Sequence, residues 1–254
     1  MNLLFDQTLA SAYRSNSQII RILSENWLLN NAYCPNCGNE NLKEFKNNNP
    51  AGDFFCISCD FEYELKSMKD KVSTKIVDGA YNSMVNKILS FTNPNFFFLN
   101  YSEKYTVKNL FIIPKYFFVP DIIEKRKPLS INARRAGWLG CNILINKLPI
   151  SSKIFLIKDD VIIDKKNVLD QWKKVSFLNS EKISKRGWIL ELMKIIEQIP
   201  QTTFTLSDVY AFSSSLKEKF PENNFIKEKI RQQLQVLRDK GYIKFIGKGL
   251  YQKT

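Results

Sequence analysis

Histidine is absent from all 254 residues of the chain. That removes Ser-His-Asp and Cys-His catalysis, in which an imidazole carries the proton, and every metal site that needs an imidazole ligand. Long apolar runs are missing too. No stretch approaches the ~18 residues of a membrane span, and the most apolar segments, Phe96 to Leu99 and Leu110 to Ile113, have the length of buried strands. The chain opens Met-Asn-Leu-Leu-Phe-Asp, with no basic region before its short apolar stretch, so a secretory signal is not expected. The expectation is a cytoplasmic protein with no membrane partner. Acidic residues are in deficit, 25 against 38 basic ones, for a formal net charge of +13. An excess of that size favours a polyanionic partner, nucleic acid before an anionic membrane, although a generally basic soluble protein has the same composition. Hydrophobic residues, at 44%, are plentiful enough for a globular core.

Periodicity organises the chain. Ser17 to Leu28 places Ile20, Leu23 and Trp27 at helical spacing, with Ser15 to Ser17 as the cap. A cysteine-rich stretch runs from Cys34 to Cys59, and Phe61 to Lys66 then alternates apolar and charged residues as a half-buried strand does. Ile76, Ala80, Met84 and Ile88 recur every four residues and predict a second helix. Further strands are expected at Asn95 to Tyr101, Val107 to Ile113 and Lys153 to Ile163, and the polar, basic stretch from Ser180 to Arg186 reads as a linker. The first ~180 residues are therefore expected to form an α/β domain.

Cys34-Pro-Asn-Cys37 and Cys56-Ile-Ser-Cys59 are two C-x-x-C knuckles separated by 18 residues. This spacing predicts a four-cysteine zinc ribbon across 34–59, each knuckle presenting two thiolates to one tetrahedral ion. Paired disulfides and a redox C-x-x-C are the competing readings. Four thiolates leave no open coordination position, so the zinc is assigned a structural role. Gly38 suits the first knuckle's turn, and Cys141 reads as a small buried residue.

Asp53 precedes the second knuckle, and Glu64-Leu65-Lys66 follows it. Alternation sends Glu64 and Lys66 to one face, with Glu62 beside them, and Tyr63 and Leu65 to the other. If Asp53 lies on the adjacent strand, the second knuckle is the turn between them, and two carboxylates and a lysine converge. Phosphodiester hydrolysis uses that set: carboxylates hold Mg²⁺, and a lysine orients the attacking water and offsets developing charge. Alone, D-x(10)-E-x-K is a weak motif that a solvated strand face also supplies.

The segment resembles the PD-(D/E)xK nucleases. Tyr33 to Gly38, Glu64 to Ser67, Asn93 to Leu99, Arg126 to Leu129, Ala133 to Trp138 and Ile226 to Gly241 together make the whole chain similar to the methyl-directed type IIM restriction endonucleases. The resemblance implies a PD-(D/E)xK core with an embedded zinc site at 1–182 and a second DNA-binding domain at 183–254. It further implies Mg²⁺ held by Asp53, Glu64 and the Leu65 backbone carbonyl, blunt cleavage of double-stranded GATC with methylated adenines, and a monomer. One departure is that Gly52, not proline, precedes Asp53, with Pro50 two positions earlier.

The C-terminal residues support a winged helix on their own pattern. Trp188, Leu192, Ile195 and Ile199 give a first helix. Thr205-x-x-Asp208 is a capping box for a second, with Phe204 and Val209 at its staple positions. Asn224 is expected to cap a third, which turns Ile226, Ile230, Leu234 and Leu237 inward and Lys227, Arg231, Gln235 and Arg238 outward. Gly241 stops it, and Tyr242 to Ile246 and Leu250 to Lys253 flank a basic wing tip at Lys248. From residue 183 on there are 13 basic and 7 acidic residues, which suits helix-turn-helix docking on DNA; a protein-binding winged helix or a solvated stripe are the alternatives. Adenine methyl groups project into the major groove, where Arg134 and Arg135 suit guanine edges and Trp138 a methyl pair, unless Trp138 is a core residue with surface arginines beside it. Two functions therefore compete, a methyl-dependent endonuclease and a non-catalytic methyl-DNA reader or transcriptional repressor. The Asp53, Glu64 and Lys66 set favours the first.

Overall fold

A computed structural model describes residues 1–46 and 52–254; Pro50 lies outside the described residues. The chain divides into two compact units, residues 1–147 with 151–173, and residues 148–150 with 174–254.

The first unit is mixed α/β. Its strands are β1 (Leu42–Glu44), β2 (Phe54–Cys56), β3 (Glu62–Lys69), β4 (Lys75–Ala80), β5 (Asn95–Tyr101), β6 (Val107–Ile113), β7 (Ile123–Lys125), β8 (Gly140–Leu144), β9 (Ile154–Lys158) and β10 (Val161–Ile162). Its helices are α1 (Asn16–Asn31), α2 (Tyr81–Leu89) and α3 (Lys165–Val175). Seven strands form one sheet in the order β1-β2-β3-β5-β6-β9-β10, and β4-β8-β7 form a second. β3 and β5 run parallel, Glu64 opposite Phe96 and Lys66 opposite Phe98, and the crossover between them carries β4 and α2. A parallel pair needs such a crossover, and a strand covered on both faces reads as a continuous apolar run. β5 is that strand: all seven of its residues are buried. Phe96 and Phe98 continue into Phe118 and Phe111 at ring distances of 4.8 and 5.1 Å. This aromatic floor lies directly beside the charged face of β3.

Two expectations for this unit are corrected. Ile76 to Ile88 is not one helix: Lys75–Ala80 is strand β4 and only Tyr81–Leu89 is helical. A four-residue spacing is also an even number, so Ile76 and Ala80 share one face of a strand as readily as one face of a helix. Here Ile76 is buried and Val77 exposed, and Gly79 disfavours helix. Lys153 to Ile163 is a hairpin rather than a single strand, turning at Asp159 and Asp160 with φ of 49° and 66°. That left-handed pair is the geometry two-residue hairpins prefer.

The second unit contains α4 (Ile183–Gln198), β11 (Thr203–Thr205), α5 (Leu206–Tyr210), α6 (Ser213–Lys219), α7 (Ile226–Asp239), β12 (Ile243–Gly247) and β13 (Leu250–Lys253), its strands ordered β11-β13-β12. This is a helix-turn-helix domain with a β wing. Ser180 to Arg186 is not an extended linker: α4 begins at Ile183, and Arg186 is buried within it. Ile230, Leu234 and Leu237 of α7 are buried, and Gly241 ends the helix with φ of +73°, a value a glycine adopts without strain. The expected Asn224 cap is absent. Phe225 occupies the N-cap position, the Asn223 side chain accepts its N–H at 2.7 Å, and Asn224 accepts from Lys217 instead.

The capping box forms as expected: the Thr205 hydroxyl accepts the Asp208 N–H at 3.2 Å, and the Asp208 carboxylate accepts the Thr205 N–H at 2.7 Å. These bonds hold the Asp208 carboxyl below its ordinary value, the Thr205 backbone bond first. A lowered folded pKa gives stability that is present above the unfolded value and lost as pH falls through the folded one. Asp208→Ala, which removes the charged acceptor of both Thr205 bonds, should therefore lower the thermal midpoint at neutral pH and lower it less in acid. Thermal melts at pH 7 and pH 3 check this; equal losses at both would contradict it.

Candidate active site and metal centre

The cysteines form two matched turns. The N–H of Gly38 returns to the Cys34 carbonyl at 2.8 Å, and that of Asp60 to the Cys56 carbonyl at 2.9 Å. Both turn residues have left-handed φ, +79° at Gly38 and 55° at Asp60. The Asn39 side chain bonds Ser58 across the two knuckles. All four Sγ atoms lie within 4.8 Å of one another, with Cys34–Cys59 at 3.5 Å and Cys37–Cys56 at 3.6 Å. A tetrahedral zinc with ~2.3 Å bonds separates its sulfurs by about 3.8 Å, so the donor set fits zinc. Burial pushes the Cys34 thiol well up, and a dication is what makes a buried thiolate favourable there. The Tyr63 hydroxyl, itself buried, lies 2.9 Å from Cys34 Sγ. Cys141 is buried, as expected.

The second knuckle is the turn between β2 and β3, which pair antiparallel with Phe54 opposite Tyr63. Asp53, immediately before β2, donates its N–H to the Tyr63 carbonyl at 2.8 Å, and its carboxylate accepts the Leu65 N–H at 2.8 Å. The Leu65 peptide is thereby fixed between Asp53 and Glu64. The glycine at position 52 has a steric cause: a Cβ there would stand 2.7 Å from the Tyr63 carbonyl oxygen, which leaves no room for proline.

Lys66 Nζ lies 2.5 Å from Glu64 Oε1 and 2.6 Å from Asp78 Oδ1, with the Phe96 ring 5.8 Å away. The Asp78 side chain is only 10% exposed. Burial lifts the Glu64 carboxyl above its ordinary value; Lys66 opposes this, and Asp78 and Asp53 add to it. Burial also works against the Lys66 charge, but Glu64 and Asp78 outweigh it and hold the ammonium protonated. Helix α1 contributes Glu25, paired to Arg21 at 2.8 Å; burial raises its carboxyl, and Asp53 and Glu44 push the same way. Two carboxylates contact the Lys66 ammonium and Asp53 adds a third negative charge beside Glu64, an excess that fits a divalent cation. The sequence reading missed Asp78 and Glu25. Asp78 is hidden because the four-residue spacing of its segment predicts helix, whereas on strand β4 it faces away from Val77.

Arg134, Arg135 and Trp138 lie in the β7–β8 connection, residues 126–139. Both arginines are exposed. Trp138 is half-buried, its ring under the Arg135 guanidinium at 4.7 Å and against Gly140, where a Cβ would meet it at 2.8 Å. The connection leaves the sheet beside the charged cluster, because Lys125 pairs with Cys141 and Cys141 with Asp78. On α7, Lys227, Arg231, Gln235 and Arg238 are all exposed, with Arg231 on Glu228 at 3.2 Å and Arg238 on Asp239 at 2.7 Å. Lys248 is exposed in the wing turn.

A mixed α/β unit with an embedded four-cysteine centre and a carboxylate–lysine cluster, together with a helix-turn-helix unit, fits a DNA-acting protein, and the family match gives its class, that of the restriction endonucleases. The chain belongs to the DpnI family: the Dam-replacing family model matches residues 1–181, and the Dam-replacing HTH domain model matches residues 184–253. Among the described residues, no helix is long and apolar enough to cross a membrane.

Proposed function

We propose that the chain is a methylation-dependent type II restriction endonuclease that hydrolyses double-stranded DNA at adenine-methylated GATC in the presence of Mg²⁺. The observation that carries this reading is that Asp53, immediately before β2, bonds the β3 backbone at Leu65 between Glu64 and Lys66, in a member of a restriction endonuclease family. Residues 1–182 act as the nuclease domain and residues 183–254 as the winged-helix DNA-binding domain of a cytoplasmic monomer.

Asp53, Glu64 and the Leu65 carbonyl would hold Mg²⁺, and zinc in the four-cysteine centre would be structural. When bound, the magnesium supplies Lewis acidity at the scissile phosphate and an acidified water. Asp53 holds the Leu65 peptide in place, and Glu64 offers the second carboxylate of the site from β3. Lys66, kept charged by two carboxylates, orients the attacking water and offsets the negative charge that builds on the phosphate. Outside the nuclease cluster, the exposed face of α7 suits the major groove and Lys248 a flanking phosphate.

Incubating methylated and unmethylated plasmid with the protein in Mg²⁺ tests the reading. Cutting of the methylated plasmid alone is expected. Binding of methylated DNA without cutting would make the chain a reader or repressor instead. In the same assay Lys248→Ala should weaken binding to both plasmids alike and reduce the salt slope by about 0.9. Trp138→Ala should lower the preference for methylated DNA, because an apolar contact to the methyl groups acts on specificity and not on general charge. Full methyl preference in the Trp138 variant would return that ring to a packing role.

A further inference from the structure

We propose that Asp78 is a positioning residue that holds Lys66 beside the cluster and so leaves the Glu64 carboxylate available to a divalent cation. This rests on the nuclease reading of the same site. Asp78 comes from a different sheet than Glu64 and Lys66: it sits on β4, opposite Cys141 of β8. The β4–β8 register shifts just there, between Asp78 and Ala80, so Gly79 is the extra residue of a bulge. Bulges re-aim the side chain next to them, and here the carboxylate reaches Lys66 Nζ at 2.6 Å with little exposure to water.

The need for a second acceptor follows from the charges. Lys66 Nζ also lies 2.5 Å from Glu64. With Glu64 as its sole anionic neighbour, the ammonium and a metal would compete for one carboxylate, and whichever lost would be left in a half-buried site without a counter-charge. Asp78 removes that conflict. It retains the ammonium when Glu64 turns to the cation, and Lys66 stays both charged and localised. Asp53 does not serve in its place, because one of its oxygens accepts the Leu65 N–H and its carboxylate is itself one of those proposed to hold the cation.

The test uses the full-length, zinc-loaded protein and compares wild type, Asp78→Asn and Asp78→Glu. Magnesium binding is followed by calorimetry without DNA, and cleavage of methylated plasmid is followed across a magnesium titration. Asp78→Asn keeps the shape and loses the charge. It should weaken magnesium binding about 10-fold or more and raise the magnesium concentration for half-maximal cleavage in step, with binding of methylated duplex and the thermal midpoint near wild type. Asp78→Glu, which keeps the charge, should recover most of the magnesium affinity. Unchanged magnesium affinity in Asp78→Asn overturns the proposal, whether or not its cleavage rate falls. Equal loss of stability and magnesium affinity in both variants also overturns it, and assigns Asp78 to folding. A wild-type protein that binds no magnesium and cuts no methylated DNA instead removes the nuclease reading itself.

Discussion

Asp53→Ala and Lys66→Ala should each lower cleavage of methylated plasmid by at least 10²–10³-fold, about the cost of removing one well-placed electrostatic group from a transition state. Binding of methylated duplex should survive in both. The two changes act at different points. Asp53 carries one of the carboxylates proposed to hold magnesium, and its other contact fixes the Leu65 N–H at 2.8 Å, so alanine both removes a ligand and loosens the peptide beside Glu64. Among the described residues, Lys66 is the one ammonium in contact with both Glu64 and Asp78. Without it, two half-buried carboxylates face each other uncompensated, so metal binding should persist or tighten while the chemical step fails. Separate measurement of cleavage rate and of duplex binding by gel shift distinguishes these outcomes from misfolding. Near-wild-type cutting by either variant in Mg²⁺ would sink the assignment of this cluster.

The parts of this site that were legible in the sequence are those set by strict local rules. Alternation placed Glu64 and Lys66 on one face of β3, and the knuckle spacing placed Asp53 across the turn, because a C-x-x-C turn leaves the chain little freedom between β2 and β3. The short continuous apolar run of β5 has the length and aromatic content of a strand covered on both sides. Asp78 was not legible, because its segment satisfies a four-residue period that strand and helix share. What decides between them is a partner strand, β8, more than 60 residues away in sequence. Nor could the sequence place Asn224, since two adjacent asparagines compete for one helix start and Lys217 takes the second. The glycine before Asp53 breaks the general motif on paper. In the fold it is a requirement of close backbone approach at Tyr63.

Loss of zinc should be the most destructive single change to the first unit, and it should abolish cleavage even with magnesium in excess. A structural zinc contributes apparent binding energies of roughly 10–16 kcal/mol in small domains, as much as or more than the 5–15 kcal/mol by which a typical domain is stable. In the four-cysteine centre that energy would be coupled directly to the carboxylate–lysine cluster. Cys56 ends β2, and the turn to Cys59 leads into β3. Tyr63 joins Cys34 through its hydroxyl and Asp53 through its carbonyl. Releasing the knuckles therefore frees the register that sets Asp53 against Glu64. Cys34→Ser should be worse than Cys37→Ser, because Cys34 is buried while Cys37 is exposed, and a hydroxyl left in the Cys34 position cannot replace a thiolate at the metal. The second unit has its own core around Phe204, Ile230, Leu234 and Leu237, so a zinc-selective chelator in excess Mg²⁺ should erase one thermal transition of the full-length protein and leave another. Elemental analysis should return about one zinc per chain, as a single tetrahedral four-thiolate site requires. A zinc-free preparation that cuts methylated DNA at the full rate would show that the four cysteines hold neither the metal nor the active site together.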